Sequence, residues 1–223
     1  MDQAELLMLP MAKAAKHPTG HHQYAFNGDT FLPEKVLILK EKHGIARVYE
    51  AGSHIGTTTI WFAKNFSEVV TSEIDPDHLL IARHRWYGED SGGLAPIVSS
   101  SMSSDPSAKI ISFNGSGVSM IQHMRFDIGE KCLFFLDARP MTSTDAGYNV
   151  LVQELAALAE VGTKPQVLVI HNMQNPNNPE FQFVLGWIKP HLDAIYGDGG
   201  YIHWHNKEAS AAGTGILFVE RPT

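Results

Sequence analysis

Val48-Tyr-Glu-Ala-Gly-Ser-His-Ile-Gly-Thr-Thr-Thr-Ile-Trp-Phe62 runs from a β-branched and aromatic segment through a glycine-bracketed turn into an apolar, helix-like run. The segment ends in an acid, Glu50, and reads as a buried strand feeding a helix across a tight turn. Gly52 and Gly56 fit a chain that must turn sharply, and bare backbone there would let a ligand lie close. Ser53 belongs to the same turn, and Thr57 and Thr58 stand where the helix begins. The unpaired N–H groups of that helix end suit an anionic group, such as a carboxylate. A dinucleotide fingerprint needs three glycines as G-x-G-x-x-G. Here the spacing is Glu50-x-Gly52-x-x-x-Gly56, which disfavours an NAD-dependent oxidoreductase.

Downstream, Val69-Val-Thr-Ser ends in a second acid, Glu73, followed by Ile-Asp-Pro-Asp. One carboxylate at the tip of a second strand can accept from both hydroxyls of a ribose, so the pair of acids points to an adenosine ligand. Tyr49-Glu-Ala-Gly-Ser-His-Ile-Gly-Thr-Thr58 and Val70-Thr-Ser-Glu-Ile-Asp-Pro-Asp77 resemble motifs I and II of class I S-adenosylmethionine-dependent methyltransferases. The closest likeness is to small-molecule O-methyltransferases, both the catechol type and bacterial and viral proteins whose later strands read F-L-D-A-H and I-H-D. The corresponding stretches are Phe134-Phe-Leu-Asp-Ala-Arg139 and Ile170-His-Asn172.

The resemblance implies S-adenosylmethionine as cofactor, held by Glu50, Gly52, Ser53, Gly56, Thr57, Thr58, Glu73 and Asp137. The turn Asn114-Gly115-Ser116 falls at the adenine position, where an amide or hydroxyl can bond the base edge. An ordinary left-handed turn explains Asn-Gly equally well. In the metal-dependent relatives Mg²⁺ lowers the acceptor's hydroxyl pKa. Asp137 matches the first metal ligand, and His171 and Asn172 fall at the others, but one carboxylate with His and Asn makes a poor hard-cation site. Pro140 replaces the catechol-type lysine base, and Arg139 stands where relatives often carry His. His171 is then the candidate base beside Asp137, because an imidazole titrates near neutrality. His54 either contacts the cofactor or faces solvent. His203 and His205 alternate on one late strand, compatible with a metal or with a wet sheet edge.

The remaining chain supports one domain over residues 1–223. The 223 residues suffice for one α/β core. The resemblance implies that residues 1–32 are a leading segment that caps the substrate pocket, and His21-His22 reads as part of a loop within it. Pro33 opens a helix to about Lys42. Asp75-Pro76 starts another, and 88–108 is a long Gly/Ser/Pro loop insertion carrying at most one short strand, either a lid or a solvated insertion. Lys109-Ile-Ile-Ser-Phe113, Cys132-Leu-Phe-Phe-Leu136 and Gln166-Val-Leu-Val-Ile170 read as strands, with two more near Tyr201–His205 and Ile216–Val219. Leu151, Leu155 and Leu158 mark one inward helical face, and Phe181, Val184, Leu185 and Ile188 the next. Trp61, Trp86 and Trp187 read as core, and Trp204 as lining an acceptor pocket.

This pattern predicts a Rossmann-like, doubly wound, seven-stranded sheet, mostly parallel with one antiparallel strand and helices on both faces. Net charge is −7, from 17 basic and 24 acidic residues, and without a basic cluster no nucleic-acid footprint is expected. The lone Cys132 lies in an apolar run, so a buried thiol in a reducing compartment is expected. Without a signal-like start or a membrane span, the reading is a cytoplasmic protein with no membrane partner. Its partner is a small hydroxylated acceptor, a sugar or secondary metabolite. A homodimer is compatible with the sequence. The competing reading is a methyltransferase-like domain that binds cofactor without turnover, motivated by Arg139, Pro140 and Asn172.

Overall fold

The structure, a computed structural model, describes residues 25–28, 31–87, 100–102, 109–124, 130–138, 144–174, 183–206 and 215–222. A short 3₁₀ turn, Ala25–Gly28, precedes α1 (Phe31–His43). Then follow β1 (Arg47–Ala51), α2 (Thr57–Asn65), β2 (Glu68–Glu73), α3 (Pro76–Tyr87) and β3 (Ser100–Met102). The chain continues with β4 (Lys109–Asn114), α4 (Gly117–His123), β5 (Cys132–Leu136), α5 (Thr144–Glu160) and β6 (Val167–Met173). It ends with α6 (Leu185–Tyr196), β7 (Ile202–Asn206) and β8 (Gly215–Glu220).

The strands form one sheet in the order β3-β4-β2-β1-β5-β6-β8-β7. The seven expected strands are present, with β8 alone antiparallel to its neighbours β6 and β7. The eighth, β3, was foreseen only as an optional short strand, and it adds an antiparallel edge on β4. Three residues in a Gly/Ser-rich stretch carry too little alternation to register as a strand in sequence.

Each parallel crossover needs a helix, and the right-handed sense of these connections distributes helices over both faces. The order reverses at β1, which pairs with β2 on one side and β5 on the other. The chain winds outward through β2 and β4, then returns to β5 and winds the other way. A ligand crevice belongs at the carboxyl ends of strands beside such a reversal.

Alternation along the strands sorts the core into two layers. Val48, Val69, Leu133, Phe135, Val167 and Val169 pack against Leu32, Val36 and Leu39 of α1, Phe62 of α2 and Phe26. Tyr49, Val70, Phe134, Leu136, Leu168 and Ile170 face Met120 of α4, Leu151, Leu155 and Leu158 of α5, and Ile188, Leu192 and Ile195 of α6. Every residue of β5 is buried, including the free thiol of Cys132, as a central parallel strand covered on both faces requires. Each such Leu or Phe contributes roughly 2 kcal/mol from burial.

Some helical expectations shift. Val184 is the extended N-cap of α6, so the buried stripe runs through Ile188, Leu192 and Ile195, while Phe181 lies outside the described residues. Trp187 is 50% exposed because it falls on the outward side of that stripe, whereas Trp86 is buried. Trp61 is half-buried and meets Phe26 edge-on at 4.9 Å. Trp204 lies on β7, four strand spacings from β1 or about 19 Å, stacked on Phe218 rather than at the strand-end crevice.

Candidate functional site at the carboxyl ends of β1, β2, β5 and β6

The same alternation that builds the core places the polar residues. Glu50 follows Val48 by two, Glu73 follows Thr71 and Val69, Asp137 follows Phe135, and His171 follows Val169. Period two therefore puts all four on the α1/α2 face at the strand ends, with Asn114 at the matching position of β4.

Glu50 is completely buried. Its Oε2 accepts hydrogen bonds from Thr59 Oγ1 of α2 at 2.5 Å and Thr71 Oγ1 of β2 at 2.6 Å, while Oε1 has no hydrogen-bond partner among the described residues. Burial pushes its carboxyl up to about 7, against the pull of the two hydroxyls and with a further push from the charges of Asp137 and Glu73. Thr59 and Thr71 are the supporting residues that sequence reading missed. Their only signal was threonine one turn into α2 and on β2 opposite Glu50 in register.

The turn after β1 is fixed from three sides. Gly52 and Ser53 both donate their N–H to Ser72 O, at 3.1 and 2.9 Å. Gly52 and Gly56 have φ of 89° and 78°, which glycine adopts without strain. On the side where a Cβ would stand, the space is filled by protein. A Cβ on Gly52 would lie 2.7 Å from Ala138 Cα, and one on Gly56 would collide with Trp86 Nε1 and sit 2.8 Å from Trp86 Cε2. Close packing of the turn on α3 and on the end of β5 thus gives these glycines a reason of their own, which the sequence reading did not include. Trp86 Nε1 also donates to Gly56 O at 3.1 Å, and Arg85 Nη1 donates to Ile55 O and Thr57 Oγ1 at 2.9 and 2.8 Å. Gly56→Ala is expected to destabilise the fold by about 2 kcal/mol through overpacking and left-handed strain, measurable as a lowered denaturation midpoint.

Thr57 and Thr58 open α2 as expected, with Gly56 as its N-cap and no side-chain cap. Thr58 Oγ1 accepts from Phe26 N at 3.0 Å, tying the 3₁₀ turn to the helix start. Glu73 is 8% exposed, and its two oxygens are shared between two turns. Oε2 accepts His54 N–H at 2.7 Å and Oε1 accepts Asp75 N–H at 2.9 Å. The backbone of His54 thus holds Glu73, while its ring, partly exposed, lies against His78. Asn114 ends β4 exposed beside Glu73, and Gly115 N–H donates to Glu73 O at 2.9 Å. Ser116 caps α4, accepting from Ser119 N at 3.1 Å, so its hydroxyl serves the helix.

Asp137, His171 and Asn172 converge. Asp137 Oδ1 accepts from Asn172 Nδ2 at 2.6 Å and lies 3.0 Å from His171 Nδ1. Asn172 has a φ of 60°, inside the irregularity where β6 loses register with β8, and this bulge turns its amide toward β5. The His171 side chain is fully buried, its ring 6.0 Å from that of Phe135, while Asp137 is 17% exposed. With Nδ1–H donating to the carboxylate, Nε2 is the basic nitrogen. Among the described residues no group of three His, Cys, Asp or Glu side chains is placed to hold a metal, and His203 and His205 lie on the edge strand β7. Arg139, Pro140, His21 and His22 lie outside the described residues. Among the described residues no helix is long and apolar enough to cross a membrane.

No protein-family model matches the chain, and no curated protein matches it. Solved structures do. The O-methyltransferase TomG from Streptomyces achromogenes, solved with S-adenosylmethionine, matches with a TM-score of 0.58 at 14% identity, over 100% of this chain and 91% of its own. An O-methyltransferase from Bacillus cereus, in complex with S-adenosylhomocysteine, matches at 0.56 and 16%, over 98% and 90%. An amino pentose methyltransferase from Micromonospora echinaspora matches at 0.51 and 14%, over 97% of both chains. The chain has the Rossmann-like fold of the class I S-adenosylmethionine-dependent methyltransferases.

Proposed function

We propose that the protein binds S-adenosylmethionine across the β1 and β2 ends and transfers its methyl group to a hydroxyl of a small acceptor, a sugar or secondary metabolite. The observation that carries this reading is the pairing of Glu50 and Glu73 on one sheet face around the turn at Gly52, at the point where strand order reverses. Glu73 keeps a second lone pair on each oxygen for a ribose diol. The orphan Oε1 of Glu50 is an acceptor of the kind an ammonium group would satisfy. Asn114 stands one strand beyond Glu73, where an adenine edge would reach.

Methyl transfer is an in-line displacement at a sulfonium, so the protein's tasks are alignment and removal of the acceptor proton. The pair His171 and Asp137 supplies the basic group. Asp137 fixes the tautomer, and its charge would stabilise an imidazolium formed on proton uptake. Of the donor set Asp137, His171 and Asn172, one carboxylate oxygen already accepts from the other two side chains. This fits a hydrogen-bonded triad better than a hard-cation site, so no step is routed through Mg²⁺.

A second reading, cofactor binding without turnover, is favoured by one observation: the candidate base is completely buried. Incubation with methyl-labelled cofactor and a panel of sugars, phenols and hydroxylated metabolites separates the two. Label moving to an acceptor's oxygen supports the enzyme. Tight cofactor binding with no transfer to any panel member supports the second reading.

A further inference from the structure

We infer that His78, acting through the ring of His54, is a positioning residue that sets the Glu73 carboxylate for a vicinal diol, an inference that rests on the nucleoside reading above. Glu73 spans two turns, with one oxygen on the N–H of His54 after β1 and the other on the N–H of Asp75 after β2. The first of these donors is held at a cost. His54 has a φ of 49°, a left-handed state that a residue with a Cβ keeps only when its surroundings enforce it.

Part of that enforcement is a ring contact. The imidazoles of His54 and His78 meet edge-on, with centroids 4.3 Å apart and planes at 69°. His78 is itself fixed in the first turn of α3, because Asp75 Oδ1 accepts from Asp77 N at 2.9 Å and His78 N at 3.3 Å. Asp75 Oδ2 lies 3.7 Å from His78 Nδ1. The links form a closed loop. Asp75 sets His78, His78 sets His54, and the backbone of His54 sets Glu73, which is also bonded by Asp75. A ligand diol bonding Glu73 would therefore report on a ring that need not touch it.

The test is calorimetric binding of S-adenosylhomocysteine and its 2′-deoxy analogue to wild type, His78→Ala and His78→Phe, with thermal midpoints recorded for each. Loss of the ring contact should weaken S-adenosylhomocysteine about three- to tenfold. It should narrow the affinity ratio between the two ligands by about threefold, because the loss falls on the diol. His78→Phe, which keeps an aromatic edge, should restore both values. An unchanged ratio in His78→Ala, or equal losses for both ligands, overturns the positioning role. Wild type binding neither ligand would instead overturn the nucleoside reading on which it stands.

Discussion

Replacing Glu50 by Gln is expected to stabilise the ligand-free protein at pH 8 by about 2–3 kcal/mol, raising its thermal midpoint by roughly 5–10 °C. The cause is a carboxyl pushed up to about 7 by burial, against an ordinary value of 4.5 in the unfolded chain. Between those values the native state holds a proton that the unfolded state has lost. Stability from this group is therefore complete below pH 4.5 and declines as pH rises through about 7, where the buried carboxylate must ionise. The difference corresponds to about 3 kcal/mol, and the Gln amide forfeits part of it by leaving a buried N–H₂ beside the orphan position. Wild type should thus lose stability from pH 5 to 8 relative to Glu50→Gln, whose curve lacks this slope. Parallel curves would show that Glu50 is already ionised at pH 5 and that the site carries no such strain. The same substitution should weaken the proposed cofactor. A buried acid that destabilises the empty fold and improves the occupied one is characteristic of a binding site rather than a structural ion pair.

Removing the imidazole of His171 is expected to lower kcat by about 10²–10⁴ on the proposed reading, with cofactor affinity nearly unchanged. Because the ring is fully buried against Phe135, His171→Ala also leaves a cavity and loses stability, so the alanine variant alone confounds the two effects. His171→Gln separates them, since its amide can still donate to Asp137 but cannot accept a proton at neutral pH. A folded Gln variant with kcat reduced by the same factor assigns proton removal to the imidazole. A Gln variant that turns over normally returns His171 to a structural role.

The sheet was legible in sequence because its central strands are short, apolar, punctuated by glycine or acid, and separated by helices of clear period. The strand-end residues Glu50, Glu73, Asp137 and His171 followed from the same punctuation. What the sequence hid was pairwise geometry. Gly52 and Gly56 read as bare backbone for a ligand, and the sequence did not show that Ala138 and Trp86 stand where a Cβ would be. No local pattern announces that a tryptophan thirty residues on will hydrogen-bond a turn. Glu154 shows the same limit. It lies within the helical face read from Leu151, Leu155 and Leu158, yet nothing in the stretch marks it as a nearly inaccessible carboxylate beside Gly117. Trp187 misled because a large aromatic is assigned to the core by type, whereas helical phase decides its environment; Trp204, read as lining an acceptor pocket, stands on the edge strand β7 because strand order puts it there.

The most direct test of the central claim is calorimetric titration of the protein with S-adenosylhomocysteine and, separately, NAD, repeated with Glu73→Ala. Saturable binding of S-adenosylhomocysteine, no binding of NAD, and a loss of about 1.5–3 kcal/mol in the alanine variant are expected if Glu73 grips the ribose. Binding of NAD but not S-adenosylhomocysteine at millimolar concentration would contradict the account, and unchanged affinity in Glu73→Ala would remove that carboxylate from the site.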